Sequence, residues 1–282
     1  MAKTWMMSQE MLRQSTSVND LNCQMERENK MNPWLNIPAE DYESHMSLPD
    51  VAQAQALNSL MASALKAYRP DSFAVMGCTT GNGFEHINPS HTRRAIGVDI
   101  NTAYLTALKK RFAGRLPCLE LVEADVASAN FQVGPVSMVF AGLIFEYVEV
   151  ADALSSIYRS MVPGGILLSV LQLPSPDASP VTDTRFESLA MLAPIMNLVA
   201  PSEFSGICIS AGLKLINSDT MPLKKGKAFF VAIYQKPVSD TQDGNLPLVR
   251  MPYSSTSEIT IVRKPVAKTC KLCRKGVGKQ WI

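Results

Sequence analysis

Residues 73–87 read Phe-Ala-Val-Met-Gly-Cys-Thr-Thr-Gly-Asn-Gly-Phe-Glu-His-Ile, an apolar run that breaks into a turn carrying Gly77, Gly81 and Gly83. Such a turn lets the backbone pass close to a ligand, because no Cβ stands in the way. A strand, this turn and then a helix start would offer free N–H groups to a phosphate or a carboxylate. Two acidic residues stand at matching places further on. Asp99 closes Ala-Ile-Gly-Val-Asp, and a carboxylate at the end of a second strand can accept both hydroxyl protons of a ribose. Asp125 closes Leu-Val-Glu-Ala-Asp, where it can accept from an exocyclic adenine amine. Taken singly, Asp99 also suits a helix N-cap and Asp125 a turn. Taken with the glycine turn, they form a nucleoside-binding pattern.

The elements that must position these groups follow from periodicity. Apolar runs at 73–76, 95–98, 118–122, 136–140 and 166–171 read as buried strands, and 102–112 and 150–161 as helices between them. Continuous apolar strands joined by crossover helices make a parallel sheet covered on both faces. Pro163-Gly164-Gly165 is expected to stop the helix before the fifth strand. The strands expected at 213–219 and 228–234 are separated by too few residues for a crossover helix, so they form an antiparallel hairpin. Upstream, Pro49-Asp50 opens a helix to about Tyr68, with Val51, Ala54, Leu57, Leu60, Met61, Ala64 and Leu65 at helical spacing. Residues 1–31 read as a poorly ordered extension.

This succession of glycine turn, Val-Asp99, Glu-Ala-Asp125 and terminal hairpin resembles the class I S-adenosylmethionine-dependent methyltransferases over about residues 72–235. The resemblance implies an α/β, Rossmann-like, seven-stranded, mostly parallel sheet with an antiparallel last strand and helices on both faces. That domain would span 32–236, with 32–69 as an N-terminal helical cap. It also implies S-adenosylmethionine as cofactor. The loop of Gly77, Cys78, Thr79 and Gly81 would hold its methionine part. Asp99, with Ile100 beside it, would bind the ribose, and Asp125 with Val126 the adenine. Ala141, Gly142 and Leu143 would border the cofactor and the reacting methyl. The chain departs from the family pattern in having Val75 where an acid is usual, Thr79 where Gly is usual, and Ser137 where Asp is frequent. A nicotinamide dehydrogenase is the competing enzyme class; its fingerprint wants Gly or Ala near His86, and the terminal hairpin argues against it.

Methyl transfer from a sulfonium needs acceptor, methyl and sulfur in line, and often a base. Glu146 and Tyr147 directly follow the fourth strand and are the first candidates for contact with the acceptor. Residues 38–46, with Tyr42 and His45, form an aromatic, acidic and imidazole mixture expected to lie as a lid over the cofactor edge. His45 suits a general base because its ordinary pKa lies near neutrality. Gln172 ends the fifth strand, where its amide can face the pocket. His86 reads as structural, and nothing marks Cys78 as a nucleophile. The segment 185–199, with Leu189, Met191, Leu192, Ile195 and Met196, reads as a helix in the core or over the acceptor site.

Composition narrows the remaining choices. Of 282 residues 46% are hydrophobic and 18% charged, enough apolar content to build a core and too little charge for global disorder. The net charge is +2, but residues 237–282 hold eight Lys and Arg against three acids. That basic tail leaves nucleic acid or protein as an alternative acceptor to the small molecule favoured by a domain without a large insertion. A protein that binds the cofactor without turnover is the third reading. Cys270 and Cys273 form a C-x-x-C with no second pair or nearby His, so no metal is expected. With no signal peptide and no apolar run of membrane-spanning length, the expected location is cytoplasmic.

Overall fold

The computed structural model describes residues 32–176 and 179–238. The N-terminal extension 1–31, the tail from residue 239 with its basic residues and Cys270 and Cys273, and a β-like run at 258–262 lie outside the described residues.

Seven strands form one sheet: β1 (Ser72–Met76), β2 (Arg94–Asp99), β3 (Leu119–Glu123), β4 (Val136–Gly142), β5 (Met161–Gln172), β6 (Lys214–Pro222) and β7 (Ala228–Gln235). Their spatial order is β3-β2-β1-β4-β5-β7-β6. β1 to β5 run parallel, and β7 inserts antiparallel between β5 and β6. The short link between β6 and β7 permits only that reversal. The order reverses at β1 and β4, and the carboxyl ends of the strands part there, which is where open sheets of this kind take ligands.

Alternation along the strands divides the core into two layers. Phe73, Val75, Met138, Phe140, Leu168 and Val170 face one side, where they meet α2 (Gln53–Tyr68) and α3 (Thr102–Phe112), the former bringing Leu57, Leu60 and Met61. Ala74, Met76, Ile96, Val98, Val139 and Leu167 face the other, against α4 (Val150–Ser160) and α5 (Pro201–Ser210) with Leu154, Ile157 and Phe204. Ser137 stitches β1 to β4: its Oγ accepts from the Ser72 N–H at 3.1 Å and donates to the Ser72 carbonyl at 2.8 Å.

Five sequence expectations need correction. No α-helix follows the glycine turn: Gly83 has φ +89, only the 3-10 turn Phe84–His86 forms, and Pro89 follows. α2 closes against that turn, since a Cβ on Gly83 would stand 2.6 Å from the Met61 sulfur. The helix expected from Pro49 begins instead at Gln53, because Ala52 sits in the left-handed region at φ +52. Residues 39–47, read as a mixed segment, form a helix of their own, α1 (Ala39–Ser47). α4 ends at Ser160, and Pro163 lies within β5, beside an irregularity in the β4–β5 pairing at Val136/Met138. The segment 185–199 forms the 3-10 turn Glu187–Leu192 and irregular backbone rather than an α-helix.

Candidate functional site

The carboxyl ends of β1, β2 and β4 border a crevice of about 360 Å³. Gly77 and Thr79 enter from the loop after β1, Asp99 and Ile100 from the end of β2, Asp125 and Val126 from the loop after β3, and Gly142 and Leu143 from the end of β4. Three further groups of the sequence pattern stand elsewhere. Cys78 is buried under Gly97, where its sulfur would lie 2.9 Å from an added Cβ. Ala141 is fully buried within β4, and Gly81 opens onto a neighbouring groove.

Asp99 is the pivot of this crevice. One carboxylate oxygen accepts from the Thr79 N–H at 2.8 Å and the other from the Asn101 N–H at 2.9 Å. The first bond ties the glycine loop to β2; the second opens α3, whose N-cap Asn101 accepts from Ala103 and Tyr104. Burial raises the Asp99 pKa, and the donated backbone N–H groups pull against that rise. A carboxylate has about four acceptor positions, and these backbone donors do not use them all, so capacity remains for a ribose hydroxyl. Gly77, at φ +66, keeps the loop close: a Cβ there would approach the Ile144 Cδ1 to 3.0 Å. Asp125 is exposed and accepts from the Ala127 N–H at 2.8 Å, so it shapes its own turn while bordering the crevice. These donors and acceptors fit an adenosyl group: a buried carboxylate with spare capacity, a loop that needs glycine, and a second carboxylate after β3.

The mouth of the crevice is aromatic. Trp34, Tyr42 and Tyr147 line it, with Trp34 edge-on to Tyr147 at 5.0 Å and to Tyr42 at 5.7 Å. Trp34 is fixed through its carbonyl, which accepts from the Asn101 amide at 2.8 Å. The Tyr42 hydroxyl sits in a buried place beside Asp99 and bonds to Thr79; burial, then Asp99, hold its pKa above the ordinary value. Tyr147 is likewise raised, by burial and then by Glu146.

α1 is clamped over this mouth from both sides. Glu43 accepts from the Thr80 hydroxyl of the glycine loop and pairs with Arg111 of α3 at 2.7 Å. On the other side Asp41 accepts from the Ser188 hydroxyl at 2.6 Å, and the His45 Nδ1 lies 3.0 Å from the Thr184 hydroxyl. His45 is buried and outside the crevice; burial, then Lys227, lower its pKa, so it stays neutral at pH 7. The segment 180–184 is pinned from below as well. The Gln172 amide and the Lys227 ammonium both donate to the Pro180 carbonyl, at 2.7 and 3.0 Å, and Lys227 donates to the Thr182 hydroxyl at 2.7 Å. The Gln172 oxygen accepts from Gln53 at 2.7 Å, so its amide is spent on structure.

Glu146, next to Tyr147 in the chain, is 1% exposed and does not itself line the crevice. One of its oxygens accepts from the Gln172 N–H at 2.6 Å; the other is the sole buried side-chain polar atom without a partner among the described residues. Burial pushes its pKa up to about 7. Sequence reading named Glu146 and Tyr147 from their place after β4 and included Glu43 in the acidic lid segment, but had no signal for the partners that Trp34, Gln53, Glu43 and Lys227 meet far away along the chain. The lid helix did leave a signal: Pro38 before Glu40 and Asp41, and Pro49 just past its end, mark a helix start and stop.

Residues 75–169 match the family described as a methyltransferase domain. No curated protein matches the chain. Among solved structures, the N-methyltransferase NodS of Bradyrhizobium japonicum WM9 in complex with S-adenosyl-l-homocysteine superposes with a TM-score of 0.52 at 13% identity, over 69% of this chain and 96% of that one. The [4+2]-cyclase SpnF gives 0.53 at 13% identity, over 66% and 83%. A geranyl diphosphate methyltransferase in complex with SAM gives 0.50 at 11% identity, over 65% and 85%. Among the described residues no helix is long and apolar enough to cross a membrane.

Proposed function

We propose that the chain is an S-adenosylmethionine-dependent methyltransferase, a reading supported by the match of residues 75–169 to a methyltransferase domain, and that it methylates a small molecule held between the cofactor crevice and the roof formed by α1 and residues 180–192. The observation that carries this reading is the double clamp on α1. A site roofed by a helix held through Glu43 on one side and through Asp41 and His45 on the other offers no open face to a folded macromolecular surface.

The bound cofactor supplies an electrophilic methyl on a sulfonium. Asp99 and Asp125 orient the nucleoside end, and Gly77 and Thr79 admit the amino-acid end. Trp34, Tyr42 and Tyr147 exclude water from the mouth, which sharpens every charge interaction inside. Glu146 is the proposed base: its unpartnered oxygen takes the acceptor's proton, and a pKa near 7 suits that task at neutral pH. Tyr147 aligns the acceptor, and Tyr42 closes the cofactor side. His45 holds the roof through Thr184 and takes no part in proton transfer. The three cysteines of the described residues are unpaired, which suits the reducing setting of the cytoplasm.

Two measurements test this. Calorimetry should show saturable binding of S-adenosylmethionine to the wild type, weakened by roughly 1–3 kcal/mol in Asp99→Ala, as for hydrogen bonds to a charged acceptor. With labelled cofactor and a whole-cell extract, the label should pass into the dialysable fraction; label retained on nucleic acid or protein would defeat the small-acceptor reading.

A further inference from the structure

The crevice is one-sided in charge. Its lining includes Asp99, Asp125 and Glu149, three aromatic rings, and no Lys, Arg or His. Trp34 packs edge-to-face with Tyr147 at 90° and with Tyr42 at 69°, so the three rings form one aromatic cluster along the crevice wall. Aromatic faces attract cations, most strongly when water is excluded, and Trp is the best of them. Arg111 is committed to Glu43 and the Thr80 carbonyl, and Lys227 to residues 180–182. A crevice of this composition rejects phosphates and favours a ligand carrying positive charge next to the rings.

We propose that the box of Trp34, Tyr42 and Tyr147 reads the charge on the cofactor's sulfur, holding the sulfonium donor more tightly than the neutral thioether it becomes. The inference rests on the cofactor reading above and adds a function to it: the same rings that close the mouth weaken their hold once the methyl has left, so the spent cofactor is released and product inhibition stays low. The size of the crevice supports the cofactor as the cation concerned. A space of about 360 Å³ that already includes both carboxylates for the adenosyl end is filled by a single ligand of that kind.

Calorimetric titration of the full-length protein with S-adenosylmethionine, S-adenosylhomocysteine and sinefungin, whose amine places an ammonium near the sulfur's position, provides the test without any acceptor. The wild type should bind the two cations more tightly than the neutral thioether, by roughly threefold to thirtyfold. Trp34→Leu and Tyr147→Leu should each shrink that ratio, chiefly by weakening the cations, while Trp34→Phe keeps part of it. Equal affinities for all three ligands in the wild type would overturn the proposal. So would a Trp34→Leu variant that weakens all three alike, because Trp34 would then serve only to pack the lid. Both results would leave the cofactor reading standing. Failure of the wild type to bind any of the three would remove that reading, and this inference with it.

Discussion

Glu146 shows how much one side chain draws from its surroundings. In sequence it is one acid among 25 Asp and Glu; in the fold it is buried, satisfied on one oxygen and unsatisfied on the other. A buried carboxyl favours its neutral form, which is why its pKa rises to about 7. As the acceptor's base it must be ionised, so wild-type activity should fall as pH drops below about 7. Glu146→Gln should lose roughly a hundredfold to ten-thousandfold in turnover and lose that pH limb, while cofactor affinity stays near the wild-type value. The stability effect has its own sign. The folded-state pKa lies above the unfolded one, so the contribution is fully present below about pH 4.5 and is lost as pH rises through 7. Glu146→Gln should therefore gain stability relative to the wild type between pH 5 and pH 8. Melting temperatures for the pair across that range would check it; a constant difference would mean that Glu146 carries its charge throughout.

At the scale of elements, α1 and the loop after β1 depend on each other. α1 has few buried residues, His45 and Met46, so it is held by contacts at its ends rather than by a core of its own. Glu43 supplies the contact to the cofactor side, reaching both Thr80 and Arg111. Glu43 and Arg111 are each about two-fifths exposed, so the pair adds little to global stability, about 0–1 kcal/mol. Its effect is local. Glu43→Ala should leave the unfolding midpoint nearly unchanged, speed amide exchange over residues 39–47, and weaken cofactor binding severalfold by loosening the mouth. Exchange rates equal to wild type would show that Asp41 and His45 suffice to hold α1. The missing helix after the glycine turn belongs at this scale too. Class I fingerprint matching expects it, but α2 occupies the space with Leu57, Leu60 and Met61, and Asn82 is drawn to the Ala54 carbonyl at 2.9 Å. The N–H groups of the turn are spent within the fold instead, Thr79 donating to Asp99 at 2.8 Å and Gly81 to the Cys78 carbonyl at 3.0 Å.

For the whole molecule, the two apolar layers make the sheet a rigid platform from which the strand ends project. The layer under α4 and α5 joins β1, β2, β4, β5 and β7 through Leu154, Ile157, Phe204 and their neighbours. Leu154→Ala should cost about 2–5 kcal/mol in denaturant unfolding, the range for a buried leucine that leaves a cavity. Ile209→Ala, at a residue 58% exposed, should change stability by less than about 0.5 kcal/mol. Similar costs at both positions would mean that the α5 face is covered in the intact protein.

Strand positions, the direction of the terminal hairpin and the places of Asp99 and Asp125 were all readable in the chain, because each depends on local periodicity or on the length of a link. A run such as 73–76 must be buried on both sides, and eight residues between two strands cannot return by a helix. The aromatic mouth, the clamp on α1 and the unsatisfied oxygen of Glu146 were decided only in three dimensions. Trp34 reaches Tyr147 across more than a hundred residues, and His45 reaches Thr184 across 139. Periodicity carries no record of such meetings, since nothing in the spacing of either segment changes when the other one arrives.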